Sequence, residues 1–254
     1  MESFISSNLK TRFIGRRLFY YPSLSSTMEA AKEVARKGVE EGAVVIASEQ
    51  VAGKGRLGRT WLSPKGSLAI SIVLRPHLKH LPQLIMIASL AVVYAIKKVS
   101  GLQAQIKWPN DVLINGRKVC GILIENELAG AEVNFAIIGI GVNVNFAPSA
   151  FPEVSATATS LSYELGREMP HLEFVLVLLS EVERLYVEAQ AGVPIYKDWR
   201  NHMETLGKWI RVEAGDTIEE GKAEATAEDG SLLLRRNDGS LATIVVGDVT
   251  VLKN

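Results

Sequence analysis

A chain of 254 residues with 47% hydrophobic content can bury one large core and still carry a small appended unit. Its 28 basic residues are matched by 28 acidic ones, which excludes a global field for gathering nucleic acid and leaves only local basic patches as anion sites. The single cysteine, Cys120, excludes a disulfide framework and fits a reducing compartment. Residues 1–7 lack a basic segment followed by a long apolar core, so the sequence reads as a soluble cytoplasmic protein without a signal peptide.

In chain order, residues 17–21 predict a short strand that Pro22 ends, followed by a polar turn through Ser26 and Thr27. Ala30, Ala31, Val34 and Ala35 recur at helical spacing over residues 28–36, with Gly38 as the C-terminal cap. Ser26 or Thr27 is the expected N-cap, its hydroxyl taking a free backbone N–H, and ligand binding is an equally good use of either. Residues 43–47 form a buried strand, and residues 67–74 another, closed by Arg75 and Pro76.

Between those strands lies Gly53-Lys54-Gly55-Arg56-Leu57-Gly58-Arg59-Thr60-Trp61, three glycines and three cations in nine residues. Glycines permit close backbone approach, and N–H groups with cations favour an anion, so the loop is a candidate phosphate site, with a flexible, solvated basic turn as an equally good reading of the motif alone. It lies one substitution from a P-loop. Both the P-loop and the Rossmann fingerprint require a helix directly after the glycines, and Pro64 and Gly66 argue against one.

Residues 84–99 are apolar on nearly every side and predict a helix buried under a sheet, too short and too punctuated by Ser89, Lys97 and Lys98 to cross a membrane. Residues 111–114 and 118–124 flank the hairpin signal Asn115-Gly116. Residues 133–144 form a third strand, in which Gly139 and Gly141 mark the close approach of a ligand or another backbone. Helices are expected over 172–189 and 195–202. After Gly207, five short β runs with turns at Asp229-Gly230 and Asp238-Gly239 predict a small SH3-like or OB-like barrel, dividing the chain into 1–206 and 207–254.

Lys107-Trp108-Pro109-Asn110-Asp111 joins a cation, an aromatic, a rigid turn, an amide and a carboxylate at a strand end, where Asn110 and Asp111 can reach a nucleotide or a metal. An ordinary Asp-capped turn is the plainer reading. Lys118 opens the next strand, either at a pocket edge or as the polar end of a hairpin. The four histidines, His77, His80, His171 and His202, form no zinc pair, and no G-x-S-x-G elbow is present.

Taken in order, Ser26-Thr27, Glu49-Gln50 leading into the Gly53–Trp61 loop, Lys107–Asp111, Lys118-Val119-Cys120-Gly121-Ile122-Leu123-Ile124-Glu125 and Gly139-Ile140-Gly141-Val142-Asn143 resemble the motif series of biotin protein ligases. The resemblance implies an α+β fold, a mixed β-sheet packed against helices as in biotin/lipoate ligase catalytic domains, with a C-terminal SH3-like barrel. It implies that biotin and ATP form biotinyl-5′-adenylate with release of pyrophosphate, and that a lysine of a biotin carboxyl carrier protein or domain, from acetyl-CoA carboxylase or a related carboxylase, then attacks the anhydride. Carried over residue by residue, Ser26, Thr27, Gln50, Lys54, Gly55, Arg56, Lys118, Gly121 and Leu123 would surround biotin, while Arg59, Trp61, Asn110, Asp111 and Asn143 would face the nucleotide.

Carboxylate and triphosphate repel, so Arg56, Arg59, Lys107 and Lys118 would bring them together, with Arg56, Lys107 and Lys118 as the catalytic cations. The family also implies Mg2+ on the pyrophosphate, with a protein ligand that the sequence does not identify. Met28 stands where Asn usually follows Ser-Thr, and Lys54 replaces the more usual Arg, keeping charge without the bidentate fork. About sixteen residues precede the first strand, which leads to the expectation of a monofunctional form without a DNA-binding domain. A homodimer remains open. Lipoate ligases and octanoyltransferases of the same fold are the alternative.

Overall fold

The computed structural model of the chain describes residues 2–252, and two β-sheets organise it. The helices are α1 (Glu2–Asn8), α2 (Thr27–Arg36), α3 (Gln83–Ser100), α4 (Leu161–Leu165), α5 (His171–Gln190) and α6 (Ile195–Asn201). The larger sheet contains β1 (Leu18–Tyr21), β2 (Val44–Ala47), β3 (Ser67–Leu74), β4 (Gln105–Lys107), β5 (Asp111–Ile114), β6 (Arg117–Ala129) and β7 (Glu132–Asn143). Its order is β1-β2-β3-β7-β6-β5-β4. β1 and β2 run parallel, which requires the crossover that α2 supplies, and the remaining neighbours are antiparallel. The smaller sheet, β8 (Trp209–Ala214), β9 (Thr217–Thr226), β10 (Leu232–Arg235), β11 (Leu241–Ile244) and β12 (Asp248–Val251), has the antiparallel order β11-β10-β9-β8-β12. These are the mixed sheet and C-terminal barrel that the sequence predicts.

Side chains alternate across a strand, and here the alternation separates two unlike surfaces. Leu68, Ile70, Ile72 and Leu74 of β3, Ile138, Ile140 and Val142 of β7, and Ile122 of β6 join the main core with α3 and α5. On the opposite face the positions nearest the loop are small, Ser67, Ala69, Ser71, Gly121, Gly139 and Gly141, and Val73 follows them on β3. Register aligns them in rows, Ala69 beside Gly141 beside Gly121, and Ser71 beside Gly139 beside Leu123. Farther along β7 the same face carries Phe135 and Ile137, which pack with Met28, Ala31 and Ala35 of α2. Each buried Leu or Ile contributes about 1.5–3 kcal/mol, and a one-residue slip would turn this set to the other face, so the apolar side fixes the register that leaves a hollow on the small side.

α3 is apolar all round because it lies between the sheet and α5 and α6, with Trp199 donating its Nε1–H to Ser89 Oγ at 2.9 Å. Several elements differ from expectation. α1 carries no strong periodic signal, yet Ile5, Leu9 and Ile14 of this region are buried. The Glu183 carboxylate of α5 holds the segment by accepting from the backbone N–H groups of Phe13 and Ile14, each at 2.8 Å. β6 runs on past its apolar stretch to a turn at Gly130, because backbone pairing with β7 continues where side chains become exposed. Ser26 does occupy the N-cap position of α2, but its hydroxyl makes no capping bond.

Candidate active site

The hollow is a cleft floored by Gly121, Gly139 and Gly141 and walled by Thr27, Gln50, Arg56 and Lys118. Its glycines are there because side chains lie on them. A Cβ on Gly141 would stand 2.4 Å from Trp61 Nε1, one on Gly121 2.9 Å from Trp61 Cζ3, and one on Gly139 2.4 Å from Met28 Sδ. The close approach read from Gly139 and Gly141 is therefore made by these two side chains. Trp61 Nε1 is buried without a hydrogen-bond partner, a cost of about 1–3 kcal/mol that an acceptor on a ligand could relieve.

A small polar network lies at one wall of the cleft. Gln50 Oε1 accepts from Thr27 N at 2.8 Å and from Thr27 Oγ1 at 3.1 Å, and Ser71 donates to Thr27 Oγ1 at 2.9 Å. With its amide oxygen committed to Thr27, Gln50 has its NH2 group to offer a ligand.

The glycine-rich loop forms another wall. Gly55 N donates to Arg59 O at 2.8 Å and Trp61 N to Gly53 O at 2.9 Å, so the loop folds back on itself around a single 3-10 turn, Arg56–Gly58, in which Leu57 takes φ 52°. No α-helix follows the glycines, in agreement with the rejection of a P-loop. Arg56 Nη1 donates to Asn110 Oδ1 at 2.9 Å, while Asn110 Nδ2 donates to Ile122 O at 2.8 Å. Burial pulls the Arg56 pKa down and the nearby Asp248 and Asp111 carboxylates push it back up; a guanidinium remains charged at any working pH. Lys118 Nζ lies 2.6 Å from Asp111 Oδ1 and 5.3 Å from the centre of the Trp61 ring. Asp111 therefore pairs with a lysine rather than capping its own turn.

Thr27, Gln50, Lys54, Gly55, Arg56, Arg59, Trp61, Asn110, Asp111, Lys118, Gly121 and Leu123 all line this cleft. Ser26 does not, although it is buried and its hydroxyl has no partner. Lys107 and Asn143 line an adjoining hollow, which shares Thr60, Trp61, Asp111 and Lys118 with the cleft. The Asn143 amide is engaged in structure, donating to Thr159 O at 2.9 Å and Lys118 O at 3.3 Å, and so steadies the strand that carries Lys118.

Three residues escaped the sequence reading. Ser71 could have been found, since Ser67, Ala69 and Ser71 break an aliphatic strand with period two. Glu29, 2.6 Å from Lys54, and Asp248, 2.6 Å from Arg59, gave no local signal. These two carboxylates give the loop's cations an anionic partner within the chain itself.

A glycine-floored cleft with a polar network at one wall, a cationic loop at another and a second chamber beyond Trp61 defines a two-substrate enzyme site rather than a simple binding groove. The biotin/lipoate A/B protein ligase family matches residues 20–143, and the biotin protein ligase C terminal domain matches residues 205–252. The bifunctional ligase/repressor BirA of Bacillus subtilis is 39% identical over 94% of this chain and 75% of its own length. The biotin–[acetyl-CoA-carboxylase] ligase of Paracoccus denitrificans is 38% identical over 78% of this chain and 86% of its own. Among solved structures, the biotin protein ligase from Aquifex aeolicus in complex with biotin and ATP superposes with a TM-score of 0.80 at 27% identity, covering 94% of this chain and 100% of that one. The chain belongs to the biotin protein ligase family.

Proposed function

We propose that this protein activates biotin with ATP and transfers it to a lysine of a biotin carboxyl carrier protein. One observation carries the reading at the level of residues: Lys118 and Asp111 pair where two chambers sharing Trp61 adjoin, and Arg56 and Asn110 are joined on the cleft side of that junction. The glycine-floored cleft takes biotin, with Thr27 and Gln50 facing its polar ring and Leu123 its apolar part. The adjoining hollow, reaching Lys107 and Asn143, takes the nucleoside.

Where the chambers meet, a biotin carboxylate oxygen attacks the α-phosphorus of ATP. The bond to the β-phosphate oxygen breaks, and pyrophosphate leaves with the electron pair. Arg56 and Lys118 offset the repulsion between carboxylate and triphosphate and stabilise charge at the α-phosphate. Lys118 must exchange Asp111 for the substrate to do so. In the second step an unprotonated carrier lysine attacks the biotinyl carbonyl, an amide forms, AMP leaves, and the amine proton passes to solvent.

Among the described residues no group of three or more His, Cys, Asp or Glu is arranged for a metal. That suits a magnesium arriving with the triphosphate, which needs only one or two carboxylates; Asp111 and Asp248 line the cleft and would hold it. When bound, magnesium neutralises the leaving pyrophosphate. We further assign residues 1–206 to catalysis and 207–254 to the barrel. A cytoplasmic location accords with a carrier of metabolic carboxylases and with the unpaired Cys120.

Biotin-dependent exchange of labelled pyrophosphate into ATP tests the reading, with lipoate run in parallel. Exchange with biotin but not lipoate is expected, and Lys118→Ala should lower it by about two to three orders of magnitude while the protein stays folded. Exchange with lipoate alone, or a normal rate in Lys118→Ala, would remove the substrate or the residue from the proposal.

A further inference from the structure

Three large apolar side chains stand exposed beside the mouth of the cleft. Leu57 is 61% exposed at the crown of the glycine-rich loop, and Val245 and Val246, at 77% and 50%, lie in the connection between β11 and β12. The two segments are neighbours, because Arg56 donates to Gly247 O at 3.4 Å and Arg59 pairs with Asp248 at 2.6 Å. Leu57 also holds φ 52°, a left-handed conformation that a bulky side chain rarely adopts. Backbone strain that presents an apolar side chain to solvent serves nothing inside the chain, and grouped exposed apolar residues mark interaction surfaces.

We propose that Leu57, Val245 and Val246 form the shoulder on which the carrier domain seats the residues flanking its acceptor lysine. The inference rests on the function proposed above and adds where the protein substrate docks. A lysine side chain reaches roughly 6 Å from its Cα, so the carrier backbone must come against the rim of the cleft when its amine attacks the anhydride. That rim includes the loop and Asp248, and Val245 and Val246 directly precede the Gly247–Asp248 pair that the loop's arginines hold. An apolar shoulder flanked by the exposed cations Lys54 and Arg59 fits a carrier with apolar residues beside the lysine and acidic ones farther out. Both segments belong to opposite sheets, so the carrier would meet a surface that exists only when loop and barrel are latched together.

The test uses the full-length protein and a purified biotin carboxyl carrier domain that it modifies. In the Val245→Ser/Val246→Ser variant, KM for the carrier should rise about tenfold or more, while biotin-dependent pyrophosphate exchange stays at the wild-type rate. Val193→Ser, altering an exposed valine outside the rim, should leave both unchanged. Val245→Thr/Val246→Thr keeps the branched shape and reports on the lost apolar surface if the serine variant is unstable. An unchanged carrier KM overturns docking, as does a parallel fall in exchange, which would make the valines part of adenylation. Concentration-dependent self-association of the wild type that the variant loses would assign the patch to a second copy of the chain and equally overturn it. Failure of the function proposal would look different, as absence of biotin-dependent exchange in the wild type.

Discussion

The Arg59 guanidinium lies 2.6 Å from the Asp248 carboxylate and so ties the glycine-rich loop to the first residue of β12. On its other side the loop is tied to α2 by Lys54 and Glu29 at 2.6 Å. In the proposed reaction an anionic substrate group entering the site would compete with these carboxylates for the loop's cations, which would couple ligand binding to release of the latches.

Asp248→Asn should therefore act on the loop and not on the fold. Arg59 is largely exposed, and exposed pairs are worth about 0.2–1 kcal/mol, which shifts a local opening equilibrium by up to about fivefold. Limited proteolysis of the ligand-free variant should cut within residues 53–61 about two to five times faster, with little change in Tm. A fall of many degrees in Tm would mean that Asp248 supports the barrel itself.

The second latch is pH-sensitive. Hydrogen bonds from Lys54 and then Lys32 hold the Glu29 pKa below its ordinary value of 4.5. A carboxyl group depressed in the folded state contributes stability above its unfolded pKa and loses it as pH falls through the folded one. Loop cleavage by an acid-active protease should thus rise as pH drops below 4.5, and Glu29→Gln should give the raised rate at every pH. A pH-independent difference of zero between wild type and Glu29→Gln would leave Lys54 unlatched in solution.

Two glycine substitutions separate site from scaffold. A Cβ at Gly141 meets the Trp61 indole, whose loop can shift, whereas one at Gly66 would stand 2.2 Å from the backbone oxygen of Asn145 at φ +92°. Gly141→Ala should raise the biotin Kd about tenfold with less than about 1 kcal/mol lost in stability, and Gly66→Ala should cost about 2–3 kcal/mol. Calorimetric titration and thermal unfolding on both variants distinguish the outcomes; equal stability losses would contradict the assignment of Gly141 to the site floor.

The hydrophobic periodicity made α3, α5 and the longer strands of both sheets legible, because burial of alternating or helical faces is a local pattern, whereas the three-residue β4 is too short to show one. Most site residues were legible for a different reason: Lys54, Arg56, Lys118 and Gly121 sit in motifs whose order matched a family. What the sequence could not disclose was pairing across long separations. Asp248 stands 189 residues from Arg59 in a strand that reads as ordinary barrel, and Glu29 looks like any solvated helix residue. Lys107, expected among the catalytic cations, ends β4 and lines the adjoining hollow rather than the glycine-floored cleft.

Arg56 is the residue on which containment of the intermediate is expected to depend. Its guanidinium, unlike that of Arg59 and the ammonium of the exposed Lys54, is largely covered, with Asn110 Oδ1 at 2.9 Å and Asp248 at 3.9 Å. A mixed anhydride in the cleft survives only while water and stray amines are kept out, which falls to the loop carrying Arg56. Arg56→Gly removes the cation that ties the loop to Asn110 and gives the backbone more freedom, so the loop opens more often. The variant should still form adenylate, though more slowly, and release it into solution, where it biotinylates exposed lysines on an unrelated bystander such as serum albumin. Bystander labelling should scale with adenylate released and should not require contact between the two proteins, so it persists across a dialysis membrane. A variant that makes adenylate yet labels no bystander, and whose loop is cut by protease at the wild-type rate with and without biotin, would show that the loop does not contain the intermediate.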